Sequence, residues 1–119
     1  MGVKTVMHGP VAVVAPEGTL WGGEETTELR TALDGLIEQG NSRLVINLGR
    51  VNHLNSTALG ILVSAHTNYA KRGGAVKLCN LEKRISNLLL ITKLSMVFEV
   101  HDSEEAALAS FSSPSSTPA

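Results

Sequence analysis

Asn55, Ser56 and Thr57 set a carboxamide beside two hydroxyls at a point where the chain backbone adds to their chemistry. Ahead of them, Val45, Ile46 and Leu48 read as a short apolar strand. Behind them, Leu59, Leu62, Val63 and His66 recur at helical spacing. The polar cluster is therefore predicted at a helix N-terminus. Asn and Ser side-chain oxygens accept the backbone N–H groups that the first turn leaves unpaired. The same end carries the positive pole of the helix dipole, where a phosphate is electrostatically favoured. A hydroxyl placed there can be modified and read by another protein without disturbing a core.

Other chemistry finds no comparable support. The histidines, His8, His53, His66 and His101, form no i, i+4 pair and adjoin no Cys or acid cluster at ligand spacing, so no metal site is expected. Gly22-Gly23 and Gly73-Gly74 read as turns, because the Lys and Ser/Thr of a phosphate-binding loop do not follow them. No nucleophile elbow joins a Ser to a His and an acid. Glu24, Glu25, Glu28, Glu104 and Glu105 fall on helix starts and solvent faces. Neither an enzyme nor a cofactor is expected. The single cysteine, Cys79, closes a predicted strand, where a buried inert thiol that fits a reducing cytoplasm is the better reading.

The elements that position the cluster follow from patterning. The chain has 119 residues, enough for one small domain with a core. Hydrophobic residues are 43% and aromatic residues 3%, so Leu, Val, Ile and Ala must build that core. The net charge is −1, and no basic stripe interleaves with aromatics, which argues against nucleic acid as the partner. The longest apolar run, Leu88 to Ile91, is far short of the ~20 residues that a membrane span needs. No secretory hydrophobic region opens the sequence. A soluble, cytoplasmic domain without membrane insertion is expected.

Strands are predicted over 3–8, 11–16, 43–48, 75–80 and 97–101, the first two joined as a hairpin across Gly9-Pro10. Helices are predicted from Glu24 to a stop at Gly40, then over 56–72, 82–92 and 103–111. In the first, Leu29, Ala32, Leu33, Leu36 and Ile37 form one apolar stripe. Alternation of strand and helix implies right-handed crossovers and a mostly parallel sheet of about five strands, with an antiparallel N-terminal hairpin strand at one edge. About four helices are expected, largely on one face. The domain should run over residues 1–111, with a disordered Ser/Pro tail over 112–119.

Two apolar features stand outside this scheme. Trp21, in the Gly-rich stretch Trp21-Gly22-Gly23, is either an interface anchor or a side chain folded back on its own domain. Leu90, Ile91, Leu94 and Met96 exceed what one stripe of the third helix can bury. They form either a partner-binding patch or packing against the last strand.

The stretch Asn55-Ser56-Thr57-Ala58-Leu59-Gly60, after a strand and the spaced Val51 and Leu54, resembles the phosphorylation loop of STAS-domain proteins of the anti-sigma factor antagonist type. That loop usually reads Asp-Ser-(Ser/Thr/Ala)-Gly-Leu-Gly, and Asn55 stands at the Asp position, keeping the capping geometry without the charge. Gly18-Thr19-Leu20, Gly73-Gly74, Val76 to Asn80, Leu94 to Val100 and the last helix follow the family's order, so the resemblance spans roughly residues 3 to 111. It implies a single STAS-like α/β domain in a bacterial regulator of transcription. The unmodified domain would bind an anti-sigma factor that is also a serine kinase of GHKL type, releasing a sigma factor. Phosphorylation of Ser56 would end that binding and a phosphatase would restore it, with Thr57 a second acceptor or only a cap neighbour. Trp21, Asn55, Ser56, Thr57, Leu90 and Leu94 are the expected partner-binding residues. The alternative is a STAS scaffold that is never phosphorylated and serves as an accessory subunit of a transporter or lipid-transport complex.

Overall fold

The computed structural model describes residues 3–20 and 23–112. Its elements run β1 (Val3–His8), β2 (Val11–Pro16), β3 (Gly18–Leu20), α1 (Glu24–Glu38), β4 (Arg43–Asn47), β5 (Val51–Leu54) and α2 (Ser56–Lys71). There follow β6 (Ala75–Cys79), α3 (Lys83–Ile91), a 3-10 turn (Leu94–Met96), β7 (Glu99–His101) and α4 (Glu104–Ser112). Five strands form one sheet in the order β1-β2-β4-β6-β7. β1 pairs antiparallel with β2 and every other neighbour is parallel, as the hairpin and the crossovers predict.

Alternation along the inner strands divides the core. Ala12, Val14, Leu44, Ile46, Val76 and Leu78 point to one face, and their cluster takes in buried residues of α1, α2 and α3. Val11, Val13, Val45 and Cys79 point to the other, where Ala107, Leu108 and Phe111 of α4 cover them. Three helices thus share one face and the short α4 closes the opposite one. Lys77, on the α4 side, is 9% exposed; its Nζ donates to Ser110 Oγ at 2.7 Å, meets Glu99 at 3.2 Å and lies 4.2 Å from the Phe111 ring centre. Its alkyl stem and charge together hold α4 to the sheet.

The predicted stops hold. Gly40 closes α1 at φ +87°, with its N–H on the Ile37 carbonyl at 3.0 Å. A Cβ at Gly74 would run into the Ser42 carbonyl, which is why the turn between α2 and β6 needs glycine. Some boundaries differ from the sequence reading. Asn80, at φ +57°, turns the chain out of the sheet, so β6 ends at Cys79. The last strand begins at Glu99, because Lys93 at φ +65° ends α3 and residues 94–96 coil into the 3-10 turn. α4 runs to Ser112; residues 113–119 of the expected tail lie outside the described residues, as does Trp21.

Two strands escape the sequence reading. β3 and β5 pair in parallel as a separate ladder, tied by Gly18 N–H to Arg50 O at 2.9 Å and by the Arg50–Glu17 ion pair at 3.3 Å. Both are three or four residues long, below the length at which period-two patterning separates a strand from a loop.

Candidate functional site

The small ladder delivers the chain to the polar cluster. After β4, Leu48 N–H donates to the Cys79 carbonyl and Val51 N–H to the Leu48 carbonyl, so a tight turn swings β5 up beside β3. Val51 and Leu54 are buried while Asn52 and His53 are exposed, which anchors β5 on one side only. At its end, Asn55 N–H donates to the Leu20 carbonyl at 3.0 Å.

Asn55 is the N-cap of α2. Its backbone is extended, its Oδ1 accepts the Ala58 N–H at 3.1 Å, and its carbonyl accepts the Leu59 N–H at 2.9 Å. Ala58, Leu59, Ile61 and Leu62 are buried and fix the helix against the core. Ser56 and Thr57 project to solvent in the first turn, and the Ser56 hydroxyl makes no hydrogen bond to a described residue. The first turn carries no acidic residue. The positive end of a 16-residue helix therefore meets an exposed, unengaged hydroxyl with no negative charge of its own beside it.

A contact between side chains ties β5 to the next helix. Arg84 Nη1 lies 3.3 Å from His53 Nε2, linking the first turn of α3 to β5. Asn52, His53, Glu82, Lys83, Arg84 and Asn87 line a shallow cavity of about 480 Å³ between these elements. A phosphate on Ser56 would meet no acidic residue in the first turn of α2 and would not need to displace an internal bond.

The sequence-derived candidates separate in space. Asn55, Ser56 and Thr57 share the α2 N-terminus, at the end of the molecule where β4 and β6 finish. Leu20 reaches that end through its pairing with Leu54, and Trp21 lies outside the described residues. Leu90 is exposed on the last turn of α3, and α3 runs from the first end of the sheet toward the other. Leu94 is half-buried and packs on the main core. Leu90 and Leu94 thus do not form one surface with Ser56. The tie between Leu20 and Asn55 and the role of Arg84 were missed in the sequence; Gly18-Thr19-Leu20 supplied the only hint of the first.

Elsewhere, burial and then the nearby Glu104 push the Cys79 thiol up to about 12, so it is a poor nucleophile. Burial likewise raises Tyr69 to about 12, against the opposing pull of Arg72, and its hydroxyl donates to Asn41 Oδ1 at 2.7 Å. Among the described residues no group of His, Cys, Asp and Glu is placed to hold a metal ion, and no helix is long and apolar enough to cross a membrane.

Comparison with known proteins gives the family and the fold. The STAS domain model covers residues 3–107. The anti-sigma-B factor antagonist of Bacillus subtilis is 36% identical over 80 residues, spanning 67% of this chain and 72% of that protein. The STAS domain protein of Planctomyces limnophilus superposes with a TM-score of 0.85 at 17% identity, covering 95% of this chain and all of the other. The Bacillus cell fate determinant SpoIIAA, solved in its phosphorylated form, superposes with a TM-score of 0.75 at 17% identity, covering 92% of this chain and 99% of that one. With the family model matching most of its length, the chain belongs to the STAS domain family.

Proposed function

We propose that this protein is a bacterial anti-sigma factor antagonist that works in the cytoplasm and is switched by phosphorylation of Ser56. The observation that carries the reading is the exposed, unengaged Ser56 hydroxyl on the first residue of a helix already capped by Asn55. Kinship with the Bacillus subtilis antagonist and the fold shared with SpoIIAA, a protein that exists in a phosphorylated form, support it.

In the unmodified state, the corner formed by Asn55, Ser56 and Thr57 binds an anti-sigma factor that is also a GHKL-type serine kinase. Trp21 belongs to that contact. The partner transfers a phosphoryl group from ATP to the Ser56 oxygen, whose proton is released, and ADP leaves. The phosphate brings about −1.5 to −2 charges into the middle of the contact, and a clash worth about 1.4 kcal/mol already weakens affinity tenfold. The helix end tolerates the charge, so the fold stays intact while the complex separates. A phosphatase restores the hydroxyl. The chain itself catalyses nothing in this cycle.

Titration of a purified anti-sigma factor kinase with Ser56→Ala and Ser56→Asp variants tests the reading. The Ala variant should bind as the unmodified protein does, and the Asp variant at least about tenfold more weakly. Equal binding by both would sink the switch and favour a STAS scaffold that is never phosphorylated.

A further inference from the structure

Seven large apolar side chains stand exposed among the described residues, and five of them lie on or between the neighbouring elements α3, the 3-10 turn and β7. Leu90 (61% exposed), Ile91 (79%), Met96 (84%) and Val97 follow one another along the end of α3 and the 3-10 turn. Val100 joins them from the edge strand β7, on the α3 side of the sheet through its register with Leu78. Ile85 and Leu89 already fix α3 to the core, and Leu90, Ile91 and Met96 stay mostly in solvent. An apolar cluster of this kind marks a contact surface.

The same outward face of α3 begins with Lys83 and Arg84, reaches Asn87 one turn on, and ends at Leu90 and Ile91. Over residues 82–94 three bases (Lys83, Arg84, Lys93) face one acid (Glu82), a local charge of +2 in a chain whose net charge is −1. Apart from Lys93, which follows the apolar end, the charges and the apolar groups are segregated along the helix axis, about 12 Å from Lys83 to Ile91 at 1.5 Å per residue. A helix that lies in a membrane interface instead carries its apolar face along its whole length. Pairing of two copies through this face would set +2 against +2 across an isologous contact.

We infer that the outward face of α3 and the 3-10 turn is a docking surface for an amphipathic segment of a partner protein, acidic where it meets Lys83 and Arg84 and apolar where it covers Ile91 and Met96. The apolar half of this surface is distinct from the Ser56 corner. Its apolar half lies toward the end of the sheet where β7 begins, whereas Ser56 stands where β4 and β6 end. A charge placed on Ser56 leaves that apolar half unchanged.

The test uses the full chain and a fluorescent synthetic helical peptide of about four turns, with Glu on one face of its first half and Leu on the same face of its second. An otherwise identical peptide carries Lys for each Glu. Anisotropy at low salt should show the acidic peptide binding at least about tenfold more tightly. Ile91→Asp should lose that binding, the double variant Lys83→Glu, Arg84→Glu should reverse the preference, and Ser56→Asp should leave the preference for the acidic peptide in place. Circular dichroism checks that these exposed substitutions leave the fold intact. Equal binding of both peptides, binding of neither, or loss on Ser56→Asp overturns the proposal. So does sedimentation showing a dimer abolished by Ile91→Asp, or preferential binding to phosphatidylserine vesicles lost with the same variant.

Discussion

The backbone N–H of Asn55 donates to the carbonyl of Leu20 at 3.0 Å, joining the end of β3 to the cap of α2. Through that bond, the end of β3 and the helix that presents Ser56 are one structural unit. Leu20 is fully buried and Leu54, its ladder partner, nearly so. Truncation of Leu20 to Ala should therefore lower stability by about 2–5 kcal/mol. It should also loosen the first turn of α2. Denaturant unfolding measures the first effect, and faster amide exchange at Ala58 measures the second. Loss of stability with unchanged exchange at Ala58 would show that the ladder does not hold the cap.

Asn55→Ala removes the side-chain acceptor of the Ala58 N–H. The expected cost is about 0.5–2 kcal/mol, whereas Asn55→Asp should hold or raise stability because a carboxylate still caps and also complements the helix dipole. Thermal melts of the three proteins decide this. An Asp variant less stable than the Ala variant would contradict the assigned cap geometry.

Cys79 is buried under α4, with its thiol raised to about 12. It should stay unmodified by a disulfide reagent at pH 8 in the native protein and react rapidly in guanidinium. Its ordinary value is 9.0, so the folded state favours the neutral thiol: the stability it contributes is complete below pH 9 and lost as the pH rises toward 12. Rapid native labelling at pH 8 would mean that α4 opens readily.

Burial alone would raise the Glu99 carboxyl. The hydrogen bonds and charges of His101 at 2.6 Å and Lys77 at 3.2 Å outweigh burial and hold it below its ordinary 4.5. Its stabilising contribution is present above pH 4.5 and lost as the pH falls through the lowered folded value. Glu99 is about half exposed, so the effect is small. Glu99→Gln should flatten the acid limb of the stability curve without moving the neutral plateau by more than about 1 kcal/mol. An unchanged acid limb would mean that other carboxylates govern acid unfolding.

Much of this organisation is legible in sequence because it is periodic or punctuated. The stripe from Leu29 to Ile37, the strand alternation and the stops at Gly40 and Gly73-Gly74 all arise from local rules that the structure obeys. Ser56 is legible because a capping residue at a strand-to-helix junction leaves the next side chain outside. The β3–β5 ladder is not, since its pairing joins residues more than thirty positions apart through strands too short for any pattern. Leu94 and Leu90 read alike in sequence, yet the left-handed turn at Lys93 sends the first into the core and leaves the second in solvent. Such a turn at a lysine has no compositional signal.

The central claim is tested most directly by intact-mass and peptide-level mass spectrometry of the protein after incubation with a purified anti-sigma factor kinase and ATP. The expected result is the mass of one phosphate, mapped to Ser56 and absent from Ser56→Ala. Complete absence of phosphate from Ser56 and Thr57 with a kinase active on its own antagonist, or phosphate that persists in Ser56→Ala at a site outside the first turn of α2, would contradict it.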